Sequence, residues 1–254
     1  QPIKDELQVS DTAMGLLTGI AFALFYTFAG IPIARLADRR SRRTIIAASP
    51  TAMMVRRDRR SRRTIIAVGL AAWSAMTAAS GMVRSFAQLA LARVGVGVGE
   101  AAFVPPAHSL IADYFPAERR ATAMAIFSMG IHVGLAVGFL LGGWIAQYFG
   151  WRAAFFTVGL PGLLLAVLVR LAIQEPARGG ADIAHGAAST PAAPLPLRTA
   201  VATLWSLRSF RHLALAAALI SFGGYAFAIW GPTFFIRVHG MSTGQLGTWL
   251  GAVL

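Results

Sequence analysis

Long apolar runs alternate with short polar segments along most of this chain. Runs of 18 or more apolar residues are typical of helices that cross a membrane. Six such runs are present, and a seventh begins at Leu246. Their predicted bounds are 13–36, 64–83, 86–112, 121–146, 153–171 and 213–235. The pattern predicts an all-α polytopic membrane bundle of about six complete transmembrane helices plus the start of a seventh.

Composition supports the same class. The chain is 56% hydrophobic and 13% charged, whereas soluble domains carry about 25% charged residues. The absence of cysteine excludes disulfide and thiol chemistry. The five histidines are scattered and no nucleophile–base spacing recurs. We therefore predict a protein that is not an enzyme and that has no cofactor and no metal site.

The basic residues follow the connections between the apolar runs. The connections 35–63, 113–120 and 170–211 hold 18 Lys and Arg, whereas the alternate set holds four. This alternation is the positive-inside pattern, which predicts that the Arg-rich connections are cytosolic. We expect a multi-pass protein of the inner (plasma) membrane, with membrane lipid as a partner. The net charge of +13 is thereby explained by topology, and we predict no binding to nucleic acid.

One basic decapeptide, DRRSRRTIIA, occurs at both 38–47 and 58–67. The twelve largely apolar residues between the arginine clusters, 44–55, would form about 18 Å of helix, which is too short to cross a hydrocarbon core of about 30 Å. Only the second copy continues into a full-length run. We interpret residues 48–67 as a tandem duplication or an error in the gene model. The alternative is a genuine loop extension that binds anionic lipid headgroups.

A fainter repeat relates residues 10–19 to residues 242–251. Each copy begins with Ser at a predicted helix N-cap, followed by glycines five and nine positions later. Secondary transporters are commonly built from such repeats of several helices. We therefore expect a helix before Gln1, further helices after Leu254, and a division into an N-terminal half (1–171), a cytosolic linker (172–211) and the start of a C-terminal half (212–254).

Two ionisable residues interrupt the run 86–112. Arg93 and Glu100 are seven positions apart and share one helix face, at roughly 10 and 20 Å from Phe86. Each costs about 2.5–3.5 kcal/mol at such a depth, so each should face a cavity or a partner. Either Glu100 exchanges a proton while Arg93 holds an anionic headgroup, or the two belong to an internal ion pair that orders the bundle.

Other residues of the apolar runs are weaker candidates. His132 is a proton-relay or substrate residue, or a hydrogen-bonded packing residue. Tyr225 contacts substrate or simply packs. Pro105 and Pro106 predict a kink. A stripe of small residues predicts close helix packing, and it consists of Gly130, Gly134, Gly138 and Gly142.

Four segments resemble motifs of the major facilitator superfamily. Residues 34–43, ARLADRRSRR, resemble the loop motif G-x-x-x-D-R-x-G-R-R, with Ala34 and Ser41 in place of the glycines. Residues 93–101, RVGVGVGEA, resemble R-x-x-x-G-x-G-E-A of the spinster-like branch. Residues 113–120 resemble the loop between helices four and five, and residues 134–143 resemble the antiporter motif with Phe139 in place of its proline.

The resemblance implies a secondary active transporter that works by alternating access and is coupled to protons. It implies a small-molecule solute, amphiphilic or anionic, of the lysolipid or sphingoid kind. An exporter of drugs or organic anions is the alternative within transport, and a non-transporting remnant is the alternative outside it. The implied cytosolic gate consists of Asp38, Arg39, Arg42, Arg43, Arg62, Arg63, Asp113, Glu118 and Arg119.

Overall fold

The computed structural model describes residues 2–21, 23–30, 61–176, 181 and 196–253. Every regular element within these ranges is helical. We number the helices α1 (Pro2–Leu7), α2 (Asp11–Gly30), α3 (Arg62–Ser80), α4 (Phe86–Ala101), α5 (Val104–Tyr114), α6 (Ala117–Ala172), α7 (Leu197–Ser206), α8 (Arg208–His239) and α9 (Thr243–Val253).

Four helical segments in the described ranges are long and apolar enough to cross a membrane, namely Asp11–Gly30, Phe86–Tyr114, Ala117–Ala172 and Arg208–His239. The 56-residue α6 breaks at Gly150, which adopts φ 83° and ψ 164°. L-residues with a side chain rarely adopt this conformation, so glycine suits the break. The two arms, 117–149 and 151–172, correspond to two of the predicted runs.

The predicted run 64–83 corresponds to α3, which is not one of these four segments. Helix α3 begins with Arg62 and Arg63, and these two arginines lower its mean hydropathy. Its second half is largely Ala, Ser and Thr, and these small residues allow close packing: a Cβ added at Gly159 of α6 would lie 2.6 Å from the backbone nitrogen of Ala78. Helix α3 thereby packs tightly between α4 and the second arm of α6.

The predicted kink in the run 86–112 is confirmed. Helix α4 ends at Ala101, and α5 begins at Val104 with Pro105 and Pro106 in its first turn. Proline has no backbone N–H, so it is tolerated in a first turn and not in a helix interior. The break therefore falls just before the two prolines.

Both serines of the fainter repeat cap helices as predicted. Ser10 Oγ accepts a hydrogen bond from the backbone N–H of Ala13, and Ser242 Oγ accepts one from that of Gln245. The side chain of Gln245 returns a bond by accepting from the backbone N–H of Ser242 at 3.0 Å. This reciprocal pair is a capping box.

Two apolar clusters mark opposite ends of the bundle. One surrounds Leu89 and Trp151 and includes residues of α1 and α2. The other surrounds Ile66 and Leu110, near the start of α3 and the end of α6. Successive helices thus run between the two ends in alternation, as the charge pattern predicts. We call these the outer end and the inner end.

The predicted linker 172–211 is partly helical. Its described portion contains α7, and α8 begins at Arg208, five residues earlier than the predicted run 213–235. Leu207 separates the two helices in an extended conformation. Helix α8 ends at Gly240, which adopts φ 62°.

Candidate transport site and its two charged ends

Glycines orient the ionisable face of α4. A Cβ added at Gly99 would lie 2.7 Å from the backbone nitrogen of Trp73 in α3, and one added at Gly95 would lie 2.6 Å from Cγ of Met76. Because an α-helix has 3.6 residues per turn, Arg93 and Glu100 lie on a different side of α4 from these two glycines. The small residues of this segment therefore set which way the two ionisable residues project.

Arg93 is half-buried below the outer apolar cluster. Its guanidinium Cζ lies 4.8 Å from the centre of the Phe155 ring in the second arm of α6. This cation–π contact covers one face of the guanidinium group. No ion pair or hydrogen bond joins the Arg93 side chain to another residue that the structure describes.

Glu100 lies between the two apolar clusters and is also half-buried. Within the described ranges its carboxylate joins no ion pair, and so the Arg93–Glu100 ion pair considered above is not formed here. Tyr26 of α2 lies close enough to Glu100 for electrostatic interaction, and Tyr225 of α8 interacts with Tyr26 in the same way. Three helices thus bring polar groups towards one region.

Tyr26 is a candidate that the sequence did not single out. It is one tyrosine in an apolar run, and nothing in its neighbours distinguishes it from a packing aromatic. Only the approach of α2 to α4 brings it near Glu100; a Cβ added at Gly30 would lie 4.0 Å from Cβ of Ala101. Tyr225 was proposed from sequence, and its side chain is 65% exposed in the described chain.

The structure does not bring His132 or the glycine stripe into this region. His132 is exposed on the first arm of α6. A Cβ added at Gly130, Gly134, Gly138 or Gly142 meets nothing within 4 Å in the described part of the chain. The close contact of this arm is made instead by its neighbouring face, where Gly143 lies against the backbone of α9. A packing role for the stripe stays a prediction.

Arg62, from the second copy of the decapeptide, is the centre of the inner end. Its side chain is only 3% exposed and pairs with both Asp113 and Glu175. Nε donates to Oε1 of Glu175 at 2.6 Å. Nη1 donates to Oδ2 of Asp113, and it also donates to Oγ of Ser109, which lies 2.8 Å away. Nη2 donates to the carbonyl oxygen of Pro176 at 3.3 Å. We call Arg62, Asp113 and Glu175 the inner cluster.

The remaining residues of the predicted gate behave differently. Arg63 donates its backbone N–H to Glu175 at 3.2 Å and its Nη1 to the carbonyl of Ile173. Glu118 and Arg119 are exposed and join no ion pair with the other residues described. Asp38, Arg39, Arg42 and Arg43 lie outside the described residues. Glu175 was missed from sequence, because a lone carboxylate after a helix is unremarkable.

The outer end carries two further groups of ion pairs among the described residues. Arg152, which follows the break at Gly150, donates to Oε2 of Glu6 at 2.6 Å and to the carbonyl of Val83 at 3.0 Å. The indole of Trp151 donates to the same Glu6 oxygen at 2.8 Å. These bonds tie α1 to the turn between α3 and α4 and to the second arm of α6.

The second outer pair joins α2 to α8. Arg237 Nη2 donates to both carboxylate oxygens of Asp11, at 2.9 and 3.0 Å, and Lys4 Nζ lies 3.0 Å from Asp11 Oδ1. We call Lys4, Asp11 and Arg237 the outer cluster. It lines a cleft of about 180 Å³. Deeper in the contact, a Cβ added at Gly15 would lie 2.7 Å from the Trp230 ring, so the two helices approach closely.

An alternating bundle of long apolar helices is typical of a polytopic helical membrane protein. Comparison with known proteins identifies the family. The sequence profile of the Major Facilitator Superfamily matches residues 48–254, which include the second decapeptide. The chain belongs to the Major Facilitator Superfamily.

Comparison with individual proteins indicates which members of the superfamily this chain resembles. The chain is 34% identical over 250 residues to an MFS-type efflux pump of Mycolicibacterium smegmatis, covering 97% of this chain and 51% of the pump. It is 32% identical to the sphingosine-1-phosphate transporter SPNS2 of Danio rerio, covering 93% of this chain and 43% of that one.

A solved structure confirms the fold. The crystal structure of a bacterial homologue of the human lysosomal transporter spinster, inward-facing and unoccupied, matches with a TM-score of 0.75 and 35% identity, covering 100% of this chain and 53% of that one. The chain is therefore a spinster-like member of the superfamily, and it spans about half the length of these relatives.

Proposed function

We propose that this chain belongs to a secondary active transporter that works by alternating access and is linked to protons. Its solute is a small amphiphilic or anionic organic molecule. The observation that carries the proposal is the pair Arg93 and Glu100, which project from one face of α4 without an ion-pair partner among the residues described. Such groups are retained in a bilayer interior when they serve a pathway.

Glu100 is the proposed proton site. A carboxylate at this depth costs about 2.5–3.5 kcal/mol on insertion scales, and protonation removes that charge. Uptake of a proton therefore favours the state in which water is excluded from Glu100, and release favours a state in which water reaches it. Tyr26 of α2 lies within electrostatic range of Glu100, and a tyrosine hydroxyl is able to donate to a carboxylate or accept from a protonated carboxyl group.

Arg93 is the proposed anion site. Phe155 covers one face of its guanidinium, and the N–H groups at the edge remain suited to a bidentate carboxylate or phosphate. A lysolipid or sphingoid-like headgroup fits this chemistry, and the relative named as a sphingosine-1-phosphate transporter supports it. The relative named as an efflux pump supports the alternative, an exporter of drugs or organic anions.

The outer cluster is the proposed outer gate. It joins α2, from the predicted N-terminal half, to α8, from the predicted C-terminal half, and the solved relative is inward-facing. We infer that the conformation described here is closed at its outer end. The positive-inside pattern supports a plasma-membrane orientation in which connections 35–63, 113–120 and 170–211 are cytosolic.

Transport by the full-length parent protein in proteoliposomes tests the proposal. Glu100→Gln should abolish solute accumulation driven by a pH gradient and retain exchange of labelled for unlabelled solute. Glu118→Gln is the matched control, because Glu118 is exposed in the first turn of α6 and joins no ion pair with the other residues described, and it should retain both activities. Arg93→Gln should lose both for anionic solutes.

The outcomes separate the alternatives. Unchanged proton coupling in Glu100→Gln would remove Glu100 from the mechanism. Preference for uncharged drugs over lipid-like anions across the solute panel would favour the drug exporter. If neither the parent nor any variant moves any solute, the non-transporting remnant is favoured.

A further inference from the structure

The short helix α7 is amphipathic. Its 10 residues place Leu197, Val201, Leu204 and Trp205 on one face and Thr199, Thr203 and Ser206 on the other. Val201, Leu204 and Trp205 are 52%, 43% and 62% exposed. Among the described helices, α7 packs against α8, its neighbour in the chain. The apolar face is thus open in the described chain.

The position of α7 restricts what this face meets. Only Leu207 separates α7 from α8, and α8 is a predicted membrane crossing of 32 residues. A helix of that length extends about 48 Å, more than the hydrocarbon thickness of about 30 Å. Its first turn, with Arg208 and Arg211, therefore lies at the level of the lipid headgroups, and α7 is held at the same level.

The charges around α7 are all basic. Arg198 lies in its first turn, and Arg208 and Arg211 follow its last. Residues 183–254 contain no Asp or Glu, so no carboxylate of this segment neutralises them. A helix with apolar and aromatic residues on one face and arginines at its ends is suited to the interface of an anionic membrane.

We propose that α7 lies on the inner-end surface of the bilayer, with Val201, Leu204 and Trp205 inserted among the acyl chains and Arg198, Arg208 and Arg211 bound to anionic headgroups. The occupant of the open face is lipid. The proposal goes beyond transport itself, because it concerns how the segment between the two predicted halves is attached to the membrane.

Spin labelling tests this directly, since the chain contains no cysteine. In the full-length protein, with any cysteine elsewhere replaced by Ser, single variants Val201→Cys and Leu204→Cys report on the apolar face. Thr199→Cys and Thr203→Cys are matched controls on the polar face, one or two positions away along the helix. Each nitroxide is measured for collision with oxygen and with a water-soluble nickel chelate, in vesicles of phosphatidylcholine with or without phosphatidylglycerol.

The expected result is a contrast between the faces. Labels at 201 and 204 collide with oxygen and not with nickel, and labels at 199 and 203 show the reverse. Each Arg→Gln change at 198 or 211 should reduce the ratio of membrane-inserted to water-exposed labels at positions 201 and 204 about fivefold in phosphatidylglycerol vesicles.

Three outcomes would overturn the proposal. Nickel access at all four positions would place α7 in water. Immobile labels at 201 and 204, inaccessible to both reagents, would show that protein covers the face. A contrast that is the same in both lipids would exclude recognition of anionic headgroups. Because no transport is measured, each outcome is independent of the experiment on Glu100.

Discussion

The inner cluster and the outer cluster are both built around an arginine, yet they differ in burial and in what they join. Arg62 is 3% exposed, and its partners all lie between residues 109 and 176. Arg237 is 42% exposed, and its partner Asp11 lies 226 positions away, in the other predicted half. The inner cluster therefore holds the N-terminal half to the start of the predicted linker, whereas the outer cluster joins the two predicted halves.

This difference changes how the predicted cytosolic gate is understood. Buried, multiply bonded ion pairs are expensive to break, because separation leaves uncompensated charges. An exposed pair is compensated by water and breaks readily. The described part of the gate motif is suited to holding α3, α5 and the end of α6 together, and the outer cluster is better suited to opening in the proposed transport cycle.

The largest effect is expected from Arg62→Met. Removing the guanidinium, which is only 3% exposed, deletes its bonds to Asp113, Glu175 and Ser109 at once. Breaking a fully buried pair costs about 3–5 kcal/mol, and the 30% exposure of the Glu175 side chain places the expected loss at or below the lower end of that range. Thermal unfolding of the purified protein in detergent should show a large loss of stability. Arg119→Met is the control, because Arg119 is exposed, and it should be near neutral. Equal effects of the two substitutions would contradict the role of the inner cluster as a brace.

A smaller and different effect is expected from Asp11→Asn. Exposed pairs contribute little to stability, so the unfolding temperature should hardly move. The outward-open population, measured by electron–electron distances between spin labels at the outer ends of α2 and α8, should rise by up to about fivefold. The exchanged pair Asp11→Arg with Arg237→Asp should restore the original distribution. Failure of this exchange to restore it would argue against pairing as the cause.

High salt should weaken the outer cluster much more than the inner cluster in the unmodified protein. At about 1 M salt the screening length is about 3 Å, so exposed pairs are weakened much more than buried ones. The outer-end distances should shift towards the open state, and the unfolding temperature should not fall by the amount seen in Arg62→Met. A large loss of stability without a change in the outer-end distances would show that the inner cluster is the more salt-sensitive of the two, contrary to this prediction.

The smallest effect concerns pH at Glu6. The hydrogen bonds from Arg152 and Trp151 lower the pKa of Glu6 below its ordinary value. A carboxyl group whose pKa is lower in the folded state stabilises that state above its unfolded pKa, and the contribution is lost as pH falls through the folded pKa. The unfolding-temperature difference between the parent and Glu6→Gln should therefore shrink on acidification. Asp5→Asn, which removes an exposed carboxylate from the same helix, controls for the loss of charge, and a difference that grows in acid would be the contrary result.

Features set by neighbouring residues were predictable from the sequence. Hydropathy identified the apolar runs, Pro105 and Pro106 identified the break in one of them, and Ser10 and Ser242 identified two helix starts. These depend on the transfer free energy of a local segment, the missing N–H of proline, and a hydrogen bond that spans three residues. The position of Arg93 and Glu100 on one face of α4 follows from the same local periodicity.

The choice of partners was decided only by tertiary structure. Arg62 pairs with Glu175 across 113 positions, Asp11 pairs with Arg237, and Tyr26 approaches Glu100, although none of these pairs is marked by local pattern. Likewise, Gly143 rather than the predicted glycine stripe contacts α9. The sequence alone determined which segments enter the membrane and which ends share a side, because water and lipid act on each segment separately. Which side chains meet depends on helix rotation and packing, which no single segment contains.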